Sequence, residues 1–222
     1  MTTQTSELPF TRRTPWQGKA TTTDLMLVAA VVAVVGIGMA IRPLKPFLLA
    51  TQPVLLEFLT GDKIAIGAAA AIARIGDVPL WLVVVAGAVG MVKFDWITWW
   101  AGRQWGAGIV GMFATSERVR RRAAELNPWT VRVAIVLAGL PGIPSAVVFA
   151  VAGWTGVRLR TFLLLDLVGA VLTTAAVAGL GYALGQDAVD AVLLVDKYAM
   201  YVSLAMVATG IALPLVRRWL RR

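Results

Sequence analysis

The chain has 222 residues, 59% of them hydrophobic and only 15% charged, with a net charge of +9. Soluble domains carry about 25% charged residues, so this composition points to an integral membrane protein built as a single membrane domain. The chain has no cysteine and no histidine, which excludes disulfides and thiol metal sites and removes the commonest general base and metal ligand. The basic excess reads as membrane sidedness and contact with anionic headgroups rather than nucleic-acid binding.

Residues 1–23 form a polar arm carrying Arg12, Arg13 and Lys19. The apolar run after it starts too late for a removable signal peptide and has no convincing small-residue cleavage site, so it reads as a retained first helix. The membrane domain then occupies residues 24–222. Thr21-Thr-Thr-Asp24 has capping-box spacing, and Leu25–Ile41 is about the minimum length to span. Arg42, Pro43, Lys45 and Pro46 end it. Phe47–Thr60 and Ile64–Ile75 are each too short to span, and Gly61-Asp62 between them suits a helix C-cap followed by an N-cap. Residues 47–75 are therefore expected to form a first re-entrant hairpin with its tip at Gly61. Pro79 suits a first helical turn and opens a full span, Val78–Gly102. Gly87 and Gly90 allow close helix contact, and Trp96, Trp99, Trp100 and Trp105 read as an interfacial belt.

Arg118–Arg122 is basic and reads as a stretch in contact with headgroups. Asn127-Pro128 is an N-cap and first-turn pair before a short apolar half, Trp129–Leu140. Pro141, Gly142, Pro144 and Ser145 then interrupt the helix, because an interior proline removes a hydrogen bond and clashes with the preceding turn. Lipid cannot satisfy the freed backbone groups, so such a break needs a protein wall or a watery cavity. Residues 129–157 are expected to form a second re-entrant hairpin. Thr161–Leu184 is the next span, an acidic loop with Asp187, Asp190 and Asp196 follows, and Tyr198–Val216 is the last span. Four arginines close the chain.

The expected fold is all-α and polytopic, with about four transmembrane helices and two opposed re-entrant hairpins. Gly61 to Pro79 and Pro141 to Arg160 are similar distances, roughly 18 to 19 residues, and one span separates the hairpins; this is the layout of an inverted repeat with broken helices. The positive-inside rule places both termini in the cytoplasm, with Arg42 and Lys45 as the exceptions.

Charges inside the membrane region usually face a cavity or a partner. Asp62 at the first tip is either a simple N-cap or a carboxylate in a watery pocket. Glu57 lies one turn before Gly61 and is expected to share that pocket, where two carboxylates can share a proton. Asp95 and Asp166 fall at similar depth on neighbouring antiparallel spans. They are either transport residues or members of ion pairs with Lys93 or Arg103. No hydrolase triad, zinc site or phosphate loop is present, so the chain reads as a non-enzyme without metal or cofactor.

Gly90-Met-Val-Lys-Phe-Asp95, Trp99-Trp100-Ala-Gly102-Arg103-Gln-Trp-Gly106, Pro141-Gly142 through Gly153, Phe162, Gly169-Ala170 and Gly179-Leu-Gly181-Tyr182-Ala-Leu-Gly185 follow one another in an order that resembles the DedA family, also described by its SNARE-associated or VTT domain. The resemblance runs from about Pro53 to Gly185. It implies two opposed re-entrant hairpins and movement of undecaprenyl phosphate or phospholipid across the bacterial cytoplasmic membrane, driven by protons or sodium. It also implies functional acidic residues in the first hairpin, where Asp62 and Glu57 stand, and a pair of arginines in the second. The arginines are missing: Ala138 or Gly139, and Pro144 or Ser145, occupy their places. Arg132, Arg158 or Arg103 would have to substitute. The expectation is therefore a lipid flippase or scramblase acting on anionic headgroups through Glu57, Asp62, Asp95, Asp166 and Arg103, with Gly61, Pro141, Gly142, Pro144 and Ser145 forming the breaks. The alternatives are a small-ion or metabolite transporter and a membrane scaffold that does not transport.

Overall fold

The computed structural model describes residues 16, 20–76, 78–106, 127–140, 142–185 and 187. Pro141, Arg118–Arg122 and the expected last span Tyr198–Val216 lie outside these residues. Among the described residues every regular element is helical, and three helical runs are long and apolar enough to cross a membrane: Thr22–Thr51, Leu80–Trp105 and Leu159–Leu184.

The first helix, α1, covers Thr22–Ile41. The capping box is formed: Thr21 Oγ1 accepts from the Asp24 amide at 3.3 Å, and the Thr21 amide donates to Asp24 at 2.9 Å. Asp24 is buried and also accepts from Gln104 Nε2 at 3.1 Å and Trp105 Nε1 at 2.9 Å. The start of α1 is thereby tied to residues 80 positions away.

The helical run does not stop at Arg42. A 3-10 turn at Arg42–Leu44 leads into α2, Lys45–Thr51, and α3 follows at Pro53–Thr60. Gln52 lies between them with φ −143° and ψ 58°, because the residue before a proline is pushed out of the helical region. The chain turns back there, and Asp62 returns to touch Lys45. Residues 47–75 are therefore three helices with two breaks rather than one hairpin with a single tip; Phe47–Thr51 belongs to the run that begins at Thr22.

The break at Gly61, the first of the two that meet at the site, is as the sequence indicates. Gly61 is left-handed, φ 64°, and ends α3; Asp62 accepts from the Ile64 amide at 2.9 Å and N-caps α4, Lys63–Ile75. The expected span Val78–Gly102 is two segments, α5 at Leu80–Val92 and α6 at Asp95–Trp105, with a kink at Lys93-Phe94. Then α7, Pro128–Leu137, is N-capped by Asn127, α8 is Ser145–Trp154, and α9, Leu159–Leu184, is unbroken.

The packing repeats. In the first half, α3 lies on α5 while α4 lies on α9; in the second, α7 lies on α9 while α8 lies on α6. Each helix pair thus rests one arm on its own following helix and the other on the opposite half. A spacing of 79 residues relates the contacts: a Cβ on Gly90 would collide with the Glu57 carbonyl and one on Gly169 with the Val136 carbonyl. Gly102 and Gly181 keep the same spacing, and they meet the Ala150 and Gly67 carbonyls respectively. Gly106 and Gly185 end α6 and α9 with nearly the same backbone angles, φ 50°, ψ −128° and φ 53°, ψ −116°. Hydrogen-only side chains at crossings let helix backbones approach closely, as membrane helix packing requires.

Candidate functional site

Three basic side chains near the bundle's helix ends bind backbone rather than carboxylates. The last carbonyls of a helix have no partner of their own, and a cation there also meets the negative end of the helix dipole. Lys93 Nζ donates to the Phe58 carbonyl and, at 2.6 Å, to the Leu59 carbonyl, closing α3. Arg74 donates to the carbonyls of Tyr182 and Ala183 at 3.0 Å each, closing α9. Lys63 Nζ donates to the Gly139 carbonyl at 2.5 Å, just past the end of α7. Lys63 stands beside the first break and Gly139 beside the second, so this bond joins the two.

A cavity of about 340 Å³ opens where these breaks meet. Thr60, Gly61 and Lys63 line it from the first break, and Gly139, Gly142 and Ser145 from the second. Asp95, at the first turn of α6, and Asp166, on α9, face it from the two long helical runs. Asp166 is buried, and its Oδ2 has no hydrogen-bond partner among the described residues. The rest of the wall is apolar, with Met91, Ile135 and Phe149 among it. An isolated carboxylate charge is costly in such surroundings, which is why buried charges are usually paired or neutralised. The site therefore combines one cation, two acids, hydroxyls and freed backbone groups inside an apolar bundle.

The other expected site residues are placed differently. Asp62 is an N-cap and forms a salt bridge with Lys45 at 2.5 Å. Glu57 is fully buried on α3 with both carboxylate oxygens unpartnered among the described residues. Neither Glu57 nor Asp62 lines the cavity, and no hydrogen bond joins them among the described residues, so the expected shared pocket is not formed: Asp62 is held by Lys45 and the α4 cap, while Glu57 is enclosed by the packing around α3. The ion pairs considered for Asp95 and Asp166 are also absent among the described residues, since Lys93 is occupied by α3 carbonyls and Arg103 lies over the Trp99 ring at 5.7 Å. Arg103, Arg132 and Arg158 are exposed and none lines the cavity. Pro144 is the N-cap residue of α8, and Gly142 takes φ 87° in the break.

Lys63 stands out in the sequence as a charge in the membrane region, but nothing there gives it a role. Its signal was its place beside Asp62 at the first break, but its partner is 76 positions away and no local pattern reveals that.

The model of the VTT domain matches residues 60–183, more than half of the chain, and covers both breaks and all the cavity-lining residues. The chain belongs to the DedA family. As in the expectation drawn from its glycine and aspartate motifs, the DedA domain here is a helical membrane domain. No curated protein and no solved structure matches the chain significantly. The DedA resemblance also draws attention to the missing arginine pair; in this chain the cation at the junction of the breaks is Lys63, contributed by the opposite half.

Proposed function

We propose that this DedA protein is a transporter rather than an enzyme, and that it moves a phosphate-bearing lipid across the bacterial cytoplasmic membrane. The observation that carries the reading is the cavity of about 340 Å³ at the junction of the two helix breaks, with Lys63, Asp95 and Asp166 on its wall. In this reading α3–α4 and α7–α8 are re-entrant pairs entering from opposite sides, an inverted repeat whose broken helices meet near the midplane. Both termini lie on the cytoplasmic side, as the basic N-terminal arm and C-terminal arginines favour.

Lys63 has the charge to receive an anionic headgroup, and the Gly139 carbonyl it holds would be exchanged for phosphate oxygens. A charge-assisted bond to phosphate is stronger than one to a neutral carbonyl, so the exchange loosens the tie between the breaks while the headgroup passes. Asp95 and Asp166 supply proton- or sodium-exchanging groups on the same wall. Glu57, buried on α3 and outside the cavity wall, enters the coupling only if the first break moves.

A proteoliposome flip assay with a fluorescent phosphatidylglycerol tests this. Wild type is expected to flip the lipid; Lys63→Met and Asp166→Asn are expected to slow it while still purifying as folded protein. Unchanged flipping in both variants, with and without a cation gradient, would remove the cavity from the mechanism.

A further inference from the structure

A second cavity, of about 360 Å³, lies outside the central one, between α1 and the first break. Its walls are the α1 residues Val34, Ile37 and Met39, together with Leu59 and Phe94, and at one end it carries Arg42 and Lys45. Ile37 and Met39 are about half exposed, so the groove is open along its length to whatever surrounds the bundle.

We propose that this groove docks one anionic phospholipid, with its phosphate on Arg42 and Lys45 and one acyl chain along α1. Four observations support that occupant. First, the groove is an apolar trough with cations at one end only, which complements a lipid with an acyl chain and a negative headgroup. Second, α1 has 20 residues before Arg42, a rise of about 30 Å, so its exposed apolar side can run the length of an acyl chain. Third, these cations sit at the opposite end of α1 from the basic N-terminal arm, against the sidedness bias of basic residues, so topology does not account for them. Fourth, among the described residues the sole salt bridge joins Lys45 to Asp62, which leaves Arg42, an exposed side chain, without an acidic partner there.

Two contacts connect the groove to the central site. Thr60 lines both cavities, so a docked headgroup waits one residue from the first break. Lys45 serves both the groove and Asp62, the N-cap of α4. A phosphate at Lys45 competes with Asp62 and thereby signals occupancy to the break. This docking site adds an access point to the transport reading above, takes from it only the membrane setting, and is tested by binding rather than by flipping.

The full chain is placed in phosphatidylcholine nanodiscs containing a trace of phosphatidylglycerol with a diazirine in one acyl chain, and cross-linked peptides are mapped by mass spectrometry. Labelling is expected on Val34–Met39 and Leu59. Arg42→Gln is expected to lower it about fivefold, the effect of removing one basic group near an anionic lipid. Gly38→Phe, which fills the groove, is expected to lower it at least as much. A Cβ at Gly38 meets nothing within 4 Å, so this variant keeps the fold. Equal labelling by a diazirine diacylglycerol, or labelling insensitive to both variants, would overturn the proposal. Flipping is measured on the same preparations. Variant-sensitive labelling in a wild type that does not flip lipid upholds docking and refutes transport; flipping with variant-insensitive labelling refutes docking.

Discussion

The two halves of the bundle, residues 53–106 and 128–185, share a frame and differ in charge. The crossing glycines recur at 79-residue spacing and both halves end on a glycine with positive φ, so close backbone contact is what the repeat preserves. The ionisable groups are not repeated. The first break is flanked by Asp62 and Lys63, and the described part of the second has only backbone, hydroxyl and apolar groups. The cavity shared between the halves takes its cation, Lys63, from the first half, and that side chain reaches across to the Gly139 carbonyl of the second. The frame can be symmetric while the chemistry is not, because packing depends on what is missing at a glycine and binding on what is present at a side chain.

Six substitutions, in four sets, probe this comparison. Gly102→Ala and Gly181→Ala each force a Cβ into a backbone carbonyl of the other half. Each is expected to destabilise the protein by about 3 kcal/mol, read as a matching fall in thermal midpoint in detergent; a loss at one site only would break the equivalence of the halves. Asp166→Asn removes an unpartnered carboxylate from the cavity wall, and flipping is expected to fall by about tenfold or more, some 1.4 kcal/mol in the barrier, while the thermal midpoint holds or rises. Lys63→Met deletes the bond between the breaks, at about 2 kcal/mol. Adding Ser145→Arg to it moves the charge to the second break, and recovery of flipping in the double variant would show that the cavity needs a cation from either half. Arg74→Gln loses a partly exposed cap on α9, at about 0.5 kcal/mol, with flipping unchanged.

The parts of this fold that depend on short-range rules were legible in the sequence. Glycine at 61, aspartate at 62 and the prolines around Gly142 marked both helix breaks because their effects act within one turn. The capping box at Thr21 was legible for the same reason. The turn at Gln52 escaped although Gln52-Pro53 carries a short-range signal, because the run from Phe47 to Thr60 is otherwise largely apolar and hydropathy does not register a change of direction. The kink at Lys93-Phe94 was hidden in the same way. At the site, Asp95 and Asp166 stood out as charges in apolar helices, and both line the cavity. Lys63, Arg74 and Lys93 stood out too, but their partners are carbonyls 34 to 109 positions away. A carbonyl carries no sequence signature, so a cation that caps a distant helix cannot be told from one that binds a ligand.

The exchange of arms between the halves has a consequence for how the chain is made. The most extensive partner of α4 is α9, which lies some 80 residues later in the sequence. At about 5–20 residues per second, synthesis reaches α9 on the order of 10 s after α4 leaves the ribosome. Throughout that interval α4, at 13 residues too short to span, must be held at the membrane without its main neighbour. Insertion of this protein therefore passes through a stage in which lipid or an insertase stands in for its own unfinished half, and variants that weaken α9 are expected to be cleared at that stage, before the bundle exists.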